Sequence, residues 1–345
     1  MPETIRVAAW GADLSRDGPG LLLRDIQRGE DEGLAAVAAI LAEVRPDILL
    51  LTGMDWDHDG AALSAFADAL AEAGLDYPHR LAPRPNAGLA TGLDMDGNGR
   101  LGEPRDAQGY GRFSGQGGLA LLSRYPLGDA RDLSALLWRD LPGARLPVAN
   151  GRPFPSEAAQ AAQRLSSTGH WIVPVAAPGG PLTLMAWGAT PPVFDGPEDL
   201  NGLRGADELA LWRAVLDGRL GPAPAARFVV LGNANLDPAD GEGLRGDMVA
   251  FLADPRLQDP GPASEGGSAA ADPGQRGDPA LDTSDWPAAG DGGPGNLRVT
   301  YVLPSADWRV EGAGVVWPAP GEALAEAAAL AGPHRLVWVD LAISP

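Results

Sequence analysis

Residues 45–59 read RPDILLLTGMDWDHD, and this stretch decides the fold. Pro46 disfavours a helix at the residue before it, and the apolar run 48–51 is short enough for a strand that is covered on both faces. After Leu51 the chain becomes polar and acidic. In open α/β sheets, binding sites form where buried strands end. The stretch therefore predicts a central strand followed by either a candidate site or a plain connecting loop.

Strands and helices are predicted on both sides of this stretch from the spacing of apolar residues. The predicted helices cover residues 31–44, 61–73, 206–216, 244–253 and 322–331. The predicted strands cover residues 5–10, 47–51, 119–122, 171–175, 182–187, 228–231, 299–303 and 336–341. A strand, a helix and a second strand within the first fifty residues indicate a layered α/β fold.

Residues 259–296 are rich in Gly, Pro, Ala and Asp and show little apolar periodicity. A stretch of this length and composition predicts either a disordered segment or a functional surface loop. Because strands are predicted on both sides of it, we expect an insertion within one domain that covers residues 1–345, rather than a linker between two domains.

The composition excludes several classes of protein. The chain of 345 residues is 45% hydrophobic, which is enough for a large core, and it contains no cysteine for disulfides, thiolate metal sites or Cys nucleophiles. No apolar run approaches the roughly 18 to 20 residues that span a bilayer. Residues 1–8 are too short and too polar for the apolar core of a signal peptide. We expect a cytoplasmic protein without a membrane partner, although a trimmed secreted form would look the same.

The charge balance is strongly acidic. Asp and Glu number 46 against 26 basic residues, every one of them Arg, and the net charge is -20. Proteins that bind nucleic acids usually carry a basic surface, because their affinity depends on neutralising phosphates. The composition therefore disfavours nucleic acid as a partner.

Short motifs follow the predicted strands in a regular order. They are Trp10-Gly11, Thr52-Gly53-Met54-Asp55, WGATPP at 187–192, GNAN at 232–235, RVTYVL at 298–303 and GPHRL at 332–336. Longer segments accompany them: TGLDMDGNG at 91–99, GYGRFSGQGG at 109–118, RLSSTGHW at 164–171, TPPVFDGPEDLNG at 190–202, GDPALDT at 277–283 and RVTYVLPS at 298–305. In this order and spacing the chain resembles bacterial members of the endonuclease/exonuclease/phosphatase superfamily over nearly its whole length.

The resemblance implies a fold and a chemistry. The fold is a four-layer α/β sandwich, in which two packed mixed β-sheets are flanked by helices and the site lies at one end of the sheets. The chemistry is attack of water on a phosphate ester, assisted by one or two divalent ions, usually magnesium. In the family an Asp activates or positions the water, while His and Asn side chains donate to the phosphate.

Eight positions of this chain correspond in place to the family's functional residues. They are Gly11, Gly53, Gly188, Asn233, Asn235, Thr300, Pro333 and His334. Gly11 stands where the family has an Asn, and Gly53 where it has the metal-binding Glu. Gly188 stands where it has a His. None of these three glycines has a side chain that could bind a metal or donate a hydrogen bond.

Three of the remaining five positions are also altered. Asn233 replaces the family's Asp and cannot accept a proton near neutral pH. Thr300 replaces the Asp that orients the final His, and Pro333 replaces an acidic ligand. Asn235 and His334 are retained. The resemblance thus predicts a non-catalytic member, a pseudoenzyme without a resident cofactor that binds an unknown small ligand or a protein partner.

Two other functions stay open. One is a working phosphodiesterase or phosphatase that uses Mg²⁺ or Mn²⁺ on relocated ligands. The candidate ligands for it are Asp55, Asp57, His58, Asp195 and Asp207, and the cluster Asp55, Asp57, His58 and Asp59 is the alternative metal site or else a solvated loop. The other is a structural or assembly role in which the cleft is closed.

A second metal site is suggested by Asp94, Asp96 and Asn98, which alternate before glycines as in the first half of an EF-hand calcium loop. The Glu expected at the twelfth position is Arg105, and no flanking helices are evident. The pattern fits either a structural Ca²⁺ loop or an ordinary Asp/Gly turn.

The substituted cleft itself allows two arrangements. Gly11, Gly53 and Gly188 could leave a wider pocket with Trp10 and Trp187 as aromatic walls, or neighbouring side chains could fill the space. The retained residues are equally open. His334 is either a relic that packs or the base of a repurposed site, and the two Asn side chains either hold a ligand or build turns.

Overall fold

The computed structural model describes residues 4–343, which contain thirteen strands and eight α-helices. The strands are β1 Thr4–Trp10, β2 Ile48–Met54, β3 His79–Leu81, β4 Gly118–Ser123, β5 Arg131–Asp132, β6 Val148–Ala149, β7 Arg152–Pro153, β8 Gly169–Val175, β9 Leu182–Gly188, β10 Phe228–Asn233, β11 Thr300–Pro304, β12 Val310–Val315 and β13 Val337–Ala342. The helices are α1 Leu21–Arg28, α2 Glu32–Val44, α3 Ala61–Glu72, α4 Glu157–Ala162, α5 Leu200–Leu216, α6 Arg245–Leu252, α7 Glu265–Ala269 and α8 Ala325–Leu330. None of the helices in this range has the length and apolar character needed to cross a bilayer.

Two mixed sheets form the centre of the molecule. The first has six strands in the order β12-β13-β1-β2-β4-β3, and the second has five in the order β11-β10-β9-β8-β5. Each sheet contains one parallel pair, β1 with β2 and β9 with β10, among antiparallel neighbours. Strands β6 and β7 pair only with each other. The two flanked mixed sheets confirm the predicted fold class.

The core consists of three layers of apolar side chains, one between the two sheets and one on the outer face of each sheet. In β2, Leu50 lies between the two sheets, whereas Leu49 and Leu51 pack against the helices α1, α2, α3 and α8. Helices α5 and α6 cover the outer face of the second sheet, with Trp212 and Phe251 among the buried residues. Successive side chains of a strand point to opposite faces, so a doubly covered strand is apolar at every position.

The strand predicted from residues 47–51 continues further than its apolar run. β2 reaches Met54, and its register against β4 shifts between Thr52 and Met54. Gly53 lies at this shift with φ of +82°. A residue with a β-carbon is strained in this left-handed conformation. The glycine therefore shapes the end of the central strand, besides removing a side chain from it.

The other predicted strands and helices are also present, with ends that differ by a few residues. The largest difference is α5, which begins at Leu200 rather than at 206. No prediction was made for α1 or β12, nor for the short elements β3, β5, β6, β7, α4 and α7. β12 contains two glycines in six residues, so its apolar pattern is weak. α1 has apolar residues on one side but spans only eight residues.

The stretch 259–296 is partly built into the core. It contains α7 and two short 3₁₀ helices, Pro279–Leu281 and Ala289–Asp291. Thr283 and Ser284 are fully buried. The Thr283 hydroxyl accepts hydrogen bonds from the backbone N–H groups of Val299 and Thr300, both at 2.9 Å. Part of this stretch therefore supports the start of β11 and is not confined to the surface.

The inter-sheet layer predicts a large difference between two leucine substitutions. Leu50 is fully buried between the sheets, whereas Leu101 is 68% exposed. We expect Leu50→Ala to lower the free energy of unfolding by about 2–5 kcal/mol, and Leu101→Ala to change it by less than about 0.5 kcal/mol. Urea unfolding followed by circular dichroism measures both. Equal effects of the two substitutions would contradict the assignment of Leu50 to the core.

Candidate functional site

The family positions of the second sheet lie in one row at its end. The strand register places Gly169 beside Gly188, Gly188 beside Asn233, and Asn233 beside Thr300. Residues paired in this way share one face of a sheet. Val302, two residues after Thr300, packs between the sheets. The row therefore faces the end of the inter-sheet space.

The first sheet brings Gly11 and His334 to the same end. Gly11 follows β1, two residues after Ala9, which packs between the sheets. A β-carbon added to Gly11 would lie 3.0 Å from Cγ of His334. The imidazole therefore occupies the space that a larger residue at position 11 would need.

A similar replacement occurs at Gly188. A β-carbon there would lie 3.1 Å from Cδ2 of Leu119, and one on Gly169 would lie 3.1 Å from Cδ1 of the same side chain. Leu119 is 2% exposed and belongs to the inter-sheet core. Its isobutyl group fills the part of the space in front of these two glycines.

Of the two arrangements that the sequence left open, the structure does not place Trp10 and Trp187 as walls of the inter-sheet space. Trp10 packs in the outer core against the helices of the first sheet, and its indole Nε1 donates to the carbonyl of His334 at 3.0 Å. Trp187 packs in the outer core of the second sheet, beside Trp212. Both tryptophans immediately precede inward-facing positions, so strand alternation turns them outward. The side chains that fill the space are those of His334 and Leu119.

The two asparagines build the turn after β10. Asn233 Oδ1 accepts a hydrogen bond from the backbone N–H of Asn235 at 2.9 Å. The side chain of Asn235 donates from Nδ2 to the carbonyl of Ala189 at 2.7 Å, and its φ is +49°. Asn tolerates the left-handed region and commonly stabilises turns in this way. The geometry is that of turn-forming residues.

Thr300 and His334 carry polar atoms that lack partners. Thr300 is 1% exposed, and within residues 4–343 its Oγ1 makes no hydrogen bond. Nδ1 of His334 is likewise shielded from solvent and has no hydrogen-bonding partner in that range. Burial, assisted by the positive charge of Arg335, lowers the pKa of His334 to about 4. The imidazole is therefore neutral near pH 7.

Residues 283–286, here called the strap, lie over His334. Ser284 forms a β-bridge with His334, and the N–H of Asp285 donates to the carbonyl of Pro333 at 2.8 Å. Trp286 contacts the imidazole edge-on, with ring centroids 5.1 Å apart and planes at 84°. The strap thus shields the one ionisable side chain among the eight positions.

A buried carboxylate that the sequence reasoning missed fixes the segment before β8 and the segment after β9. Glu208 of α5 is fully buried and accepts hydrogen bonds from Ser167 N at 2.6 Å, Ser167 Oγ at 2.8 Å and Thr190 N at 2.7 Å. Burial raises its pKa to about 7, opposed by Arg204 one turn earlier and by these hydrogen bonds. Glu208 lies inside a helix predicted from apolar spacing, which gave no signal for its contacts.

His170 belongs to the same buried network. Its Nδ1 lies 2.8 Å from Oγ of Ser166, and its Nε2 lies 3.2 Å from the carbonyl of Glu208. Burial lowers the pKa of His170 to about 3. The RLSSTGHW motif, which contains both side chains, therefore helps to hold α5 on the second sheet.

The four side chains of the alternative metal site after β2 do not come together around one point. Asp55 accepts hydrogen bonds from Ser15 Oγ and two loop N–H groups, at 2.8–2.9 Å. Asp57 accepts from the first two N–H groups of α3, both at 2.7 Å. The side chains of His58 and Asp59 are about nine-tenths exposed. The four residues thus hold a loop, start a helix and contact solvent.

The other relocated candidates are also engaged elsewhere. Asp207 is 1% exposed and accepts hydrogen bonds from Trp138 Nε1 at 2.7 Å and from Arg145 N and Nε at 2.7 and 2.6 Å. Asp195 accepts from the backbone N–H of Asn201. Both carboxylates stabilise local structure where they stand.

The groups at the end of the inter-sheet space do not fit a magnesium ion. Hard cations need several oxygen ligands, with carboxylates among them. The side chains here are two amides, a hydroxyl and a neutral imidazole, and Asn233 already uses its oxygen in a turn. A group of three acidic or imidazole side chains suited to a metal occurs once within residues 4–343, and it lies elsewhere in the chain.

That group consists of Asp94, Asp96 and Asp106, each of which offers one carboxylate oxygen within 4.8 Å of those of the other two. Asp106 was missed by the sequence pattern because it follows Arg105, the expected twelfth position. Asn98 Oδ1 accepts from the N–H of Arg100 at 2.8 Å, so a cation would compete for this oxygen. The calcium loop stays a prediction, with Asp106 as a further candidate ligand.

Among the grooves on the surface of residues 4–343 are two whose linings include none of the eight positions. One of about 350 Å³ is lined by Asp13, Ser15, Arg16, Asp17, Asp31, Gly33, Gln116 and Leu330. The other, of about 620 Å³, is lined by Ala263, Ser264, Glu265, Val315, Val316, Trp317, Pro318, Glu322 and Ala323. Arg16 in the first groove pairs with Asp25 and Asp31.

Known proteins share this architecture. The sequence model of the Endonuclease/Exonuclease/phosphatase family matches residues 26–328. An endonuclease/exonuclease/phosphatase from Beutenbergia cavernae DSM 12333 is 19% identical, with a TM-score of 0.58 over 99% of this chain and 72% of that chain. An endonuclease/exonuclease/phosphatase family protein from Leptotrichia buccalis C-1013-b is 11% identical, with a TM-score of 0.53 over 98% and 99%.

Sphingomyelinase C from Streptomyces griseocarneus is also similar in structure. It is 16% identical, with a TM-score of 0.52 over 98% of this chain and 99% of that chain. At such identities these likenesses show the fold and nothing more specific. No curated protein matches the sequence.

The shielding of His334 predicts its titration. In the intact protein its pKa is about 4, and we expect Trp286→Ala to raise it toward the ordinary value of about 6.5 because the ring gains solvent. Trp56→Ala is the matched control, since Trp56 lies edge-on to His58 instead. Histidine ¹H/¹⁵N NMR over a pH titration measures both. An unchanged pKa in Trp286→Ala would show that the strap does not shield His334.

The acidic group around Asp106 predicts an effect of calcium on stability. We expect millimolar Ca²⁺ to raise the thermal unfolding temperature of the intact protein, because a cation bound only by the folded state stabilises it. Asp106→Asn should abolish the increase, whereas Asp59→Asn, at an exposed site, should leave it unchanged. Differential scanning calorimetry measures the shift. Equal unfolding temperatures with Ca²⁺ and with chelator would remove the calcium loop from consideration.

Proposed function

Since the chain belongs to the endonuclease/exonuclease/phosphatase family, we propose that it is a non-catalytic member, a pseudoenzyme. It binds a small ligand or a protein partner through the segments around the old cleft, where its own side chains fill the space in front of Gly11 and Gly188. The family scaffold is retained over the length of the chain, while the groups that would hold a metal and activate water are replaced.

The proposal is carried by one observation. The space in front of Gly11 and Gly188 is occupied by the side chains of His334 and Leu119, which lie 3.0 and 3.1 Å from the respective β-carbon positions. If the cavity were still open, a nearby loop could move a new metal-binding side chain into it. At these two positions neighbouring side chains take the space that a larger residue would need, whereas a β-carbon on Gly53 would meet only the carbonyl of Ala12, at 3.6 Å.

The character of His334 supports the same function. A general base works best when its pKa lies near the working pH and another group orients it. The pKa of His334 is about 4, and its Nδ1 makes no hydrogen bond within residues 4–343. In the family an Asp orients this His. Thr300 stands at that position here, and its hydroxyl cannot carry a negative charge.

The size of the rate contributions from single catalytic groups favours complete loss of catalysis over a weakened activity. One positioned acid or base contributes about 10² to 10⁴ in rate. Six of the eight positions lack the family's residue type, and the effects of residues that act together do not add. Because the missing groups include carboxylates that would hold the metal, the remaining side chains have no ion to assist.

The rival function, hydrolysis with relocated ligands, lacks support from its candidate ligands. Asp55, Asp57 and Asp207 each accept two or three hydrogen bonds that stabilise local structure. A polynucleotide substrate is disfavoured further by the net charge of -20, because like charges slow encounter and weaken binding.

The proposal predicts the outcome of a hydrolysis assay. We expect no turnover of bis-p-nitrophenyl phosphate above the protein-free rate in Mg²⁺ or Mn²⁺, because the cleft lacks the carboxylates that would hold either ion. An active family enzyme assayed beside it controls for the substrate and the metals. Metal-dependent turnover that disappears with Asp55→Asn would establish relocated ligands and overturn the proposal. His334→Ala serves as a second control, since it should leave the rate unchanged.

A further inference from the structure

We propose that Asp282 is a pH-sensitive latch for the strap. While its carboxyl group is protonated, it stays packed beside other acidic side chains and keeps the strap closed over His334. When the group ionises, repulsion loosens residues 272–282, here called the base of the strap, and the strap loosens with them. This device goes beyond the proposed function, because it controls access to His334 whether or not the protein hydrolyses esters.

Asp282 is buried and has no cationic partner. It is 2% exposed, and its Oδ2 accepts a hydrogen bond from the amide Nε2 of Gln275 at 2.6 Å. Within residues 4–343 no arginine forms an ion pair with it. An ionised carboxylate is costly to bury without a paired cation, so the packed position favours the neutral acid.

Three other carboxylates lie close enough to repel a charge on Asp282. Asp237 and Asp240 follow β10, and Asp272 begins the base of the strap. Burial is the main cause that raises the pKa of Asp282 to about 7; the Gln275 hydrogen bond opposes it, and the negative charges of the three carboxylates add to it. In the packed state Asp282 is therefore neutral in mildly acidic solution.

Two arginines near these carboxylates are engaged elsewhere. Nε of Arg276 lies 3.2 Å from Oδ1 of Asp240. Arg298 pairs with Asp259 at 2.6 Å, and its side chain is 6% exposed. Neither guanidinium is therefore available to neutralise Asp282.

The remaining groups that face Asp282 offer no positive charge either. Asp237 accepts hydrogen bonds from three backbone N–H groups at 2.6–2.7 Å, and Asp272 accepts one from the N–H of Asn296. Burial raises the pKa of Tyr301 well above its ordinary value, which keeps the phenol neutral. Ionised Asp282 would thus add a fourth negative charge to a partly buried cluster.

The base and the strap are joined by the chain and by hydrogen bonds. Asp282 is followed at once by residues 283–286. Asn296 Oδ1 accepts from the N–H of Trp286 at 3.1 Å, while its own N–H donates to Asp272. Trp286 is the residue that lies edge-on to the imidazole. Movement of the base toward water therefore displaces the side chain that shields the ring.

The direction of the pH effect follows from the proton bound in each state. An exposed Asp has a pKa of about 3.9, whereas the pKa of packed Asp282 is about 7. Between these values the packed state binds one more proton than the released state. Closure therefore weakens as the pH rises from about 4 to about 7 and changes little above that. The strap is closed most firmly in mildly acidic solution.

Hydrogen exchange of the full-length protein, measured by mass spectrometry between pH 5 and 8, tests the latch. We expect the protection of residues 272–286, relative to the intrinsic exchange rate at each pH, to fall at least about tenfold between pH 5 and 7 and then to level off. Asp282→Asn stays neutral and should keep these residues protected throughout. Asp278→Asn, at an exposed position of the same segment, is the matched control and should behave as the intact protein.

Gln275→Lys provides a second variant. An ammonium group beside Asp282 stabilises its ionised form, so residues 272–286 should stay protected at pH 8. Loss of protection in this variant equal to that of the intact protein would contradict the latch.

Other outcomes would also overturn the inference. A decrease that persists in Asp282→Asn would assign the effect to another group, such as Glu208, whose pKa is also about 7. Constant protection in the intact protein would show that no latch exists. A decrease that millimolar Ca²⁺ removes would make the carboxylates a cation site instead. None of these readouts depends on ester hydrolysis, so they leave the proposed function standing.

Discussion

The structure depends on the packing of two mixed sheets face to face across one apolar layer. Along most of their length this layer is filled by side chains such as Leu50, Ala186 and Val302. At the end where β1, β2, β9 and β10 terminate, the inward positions become small or polar, and the layer would be left open. What fills that end decides whether the scaffold has a reactive site, a binding site or only a continuation of its core.

In this chain the end is filled from within. Leu119 extends the apolar layer toward Gly188, and His334 fills the space in front of Gly11. The strap then covers His334 from outside. Glycine at positions 11 and 188 thus lets neighbouring side chains approach closely. Within residues 4–343, Thr300 Oγ1 and His334 Nδ1 are buried at this end without a hydrogen-bonding partner.

Local pattern was sufficient to predict the layers, because each doubly covered strand and each amphipathic helix carries its own signal. The same applies to the central strand from residues 47–51, whereas the bulge at Gly53 has no signal in the sequence pattern. Contacts between distant segments had no such signal. Leu119 against Gly188, Glu208 against Thr190 and Asp106 against Asp94 each join residues brought together only by the fold. Trp10 and Trp187 do not wall the inter-sheet space for a local reason, since each lies one position out of phase with the inward face.

The most direct test of the account is diffraction from crystals soaked in Mn²⁺, with anomalous scattering used to locate the metal. The account predicts no manganese peak at the end of the inter-sheet space, because Gly53, Gly188 and Asn233 supply no free carboxylate there. Leu119 and His334 should stay in place against the glycines. A manganese ion beside Asn235 and His334, with Leu119 displaced from Gly188, would contradict the central claim that packing has replaced the metal site.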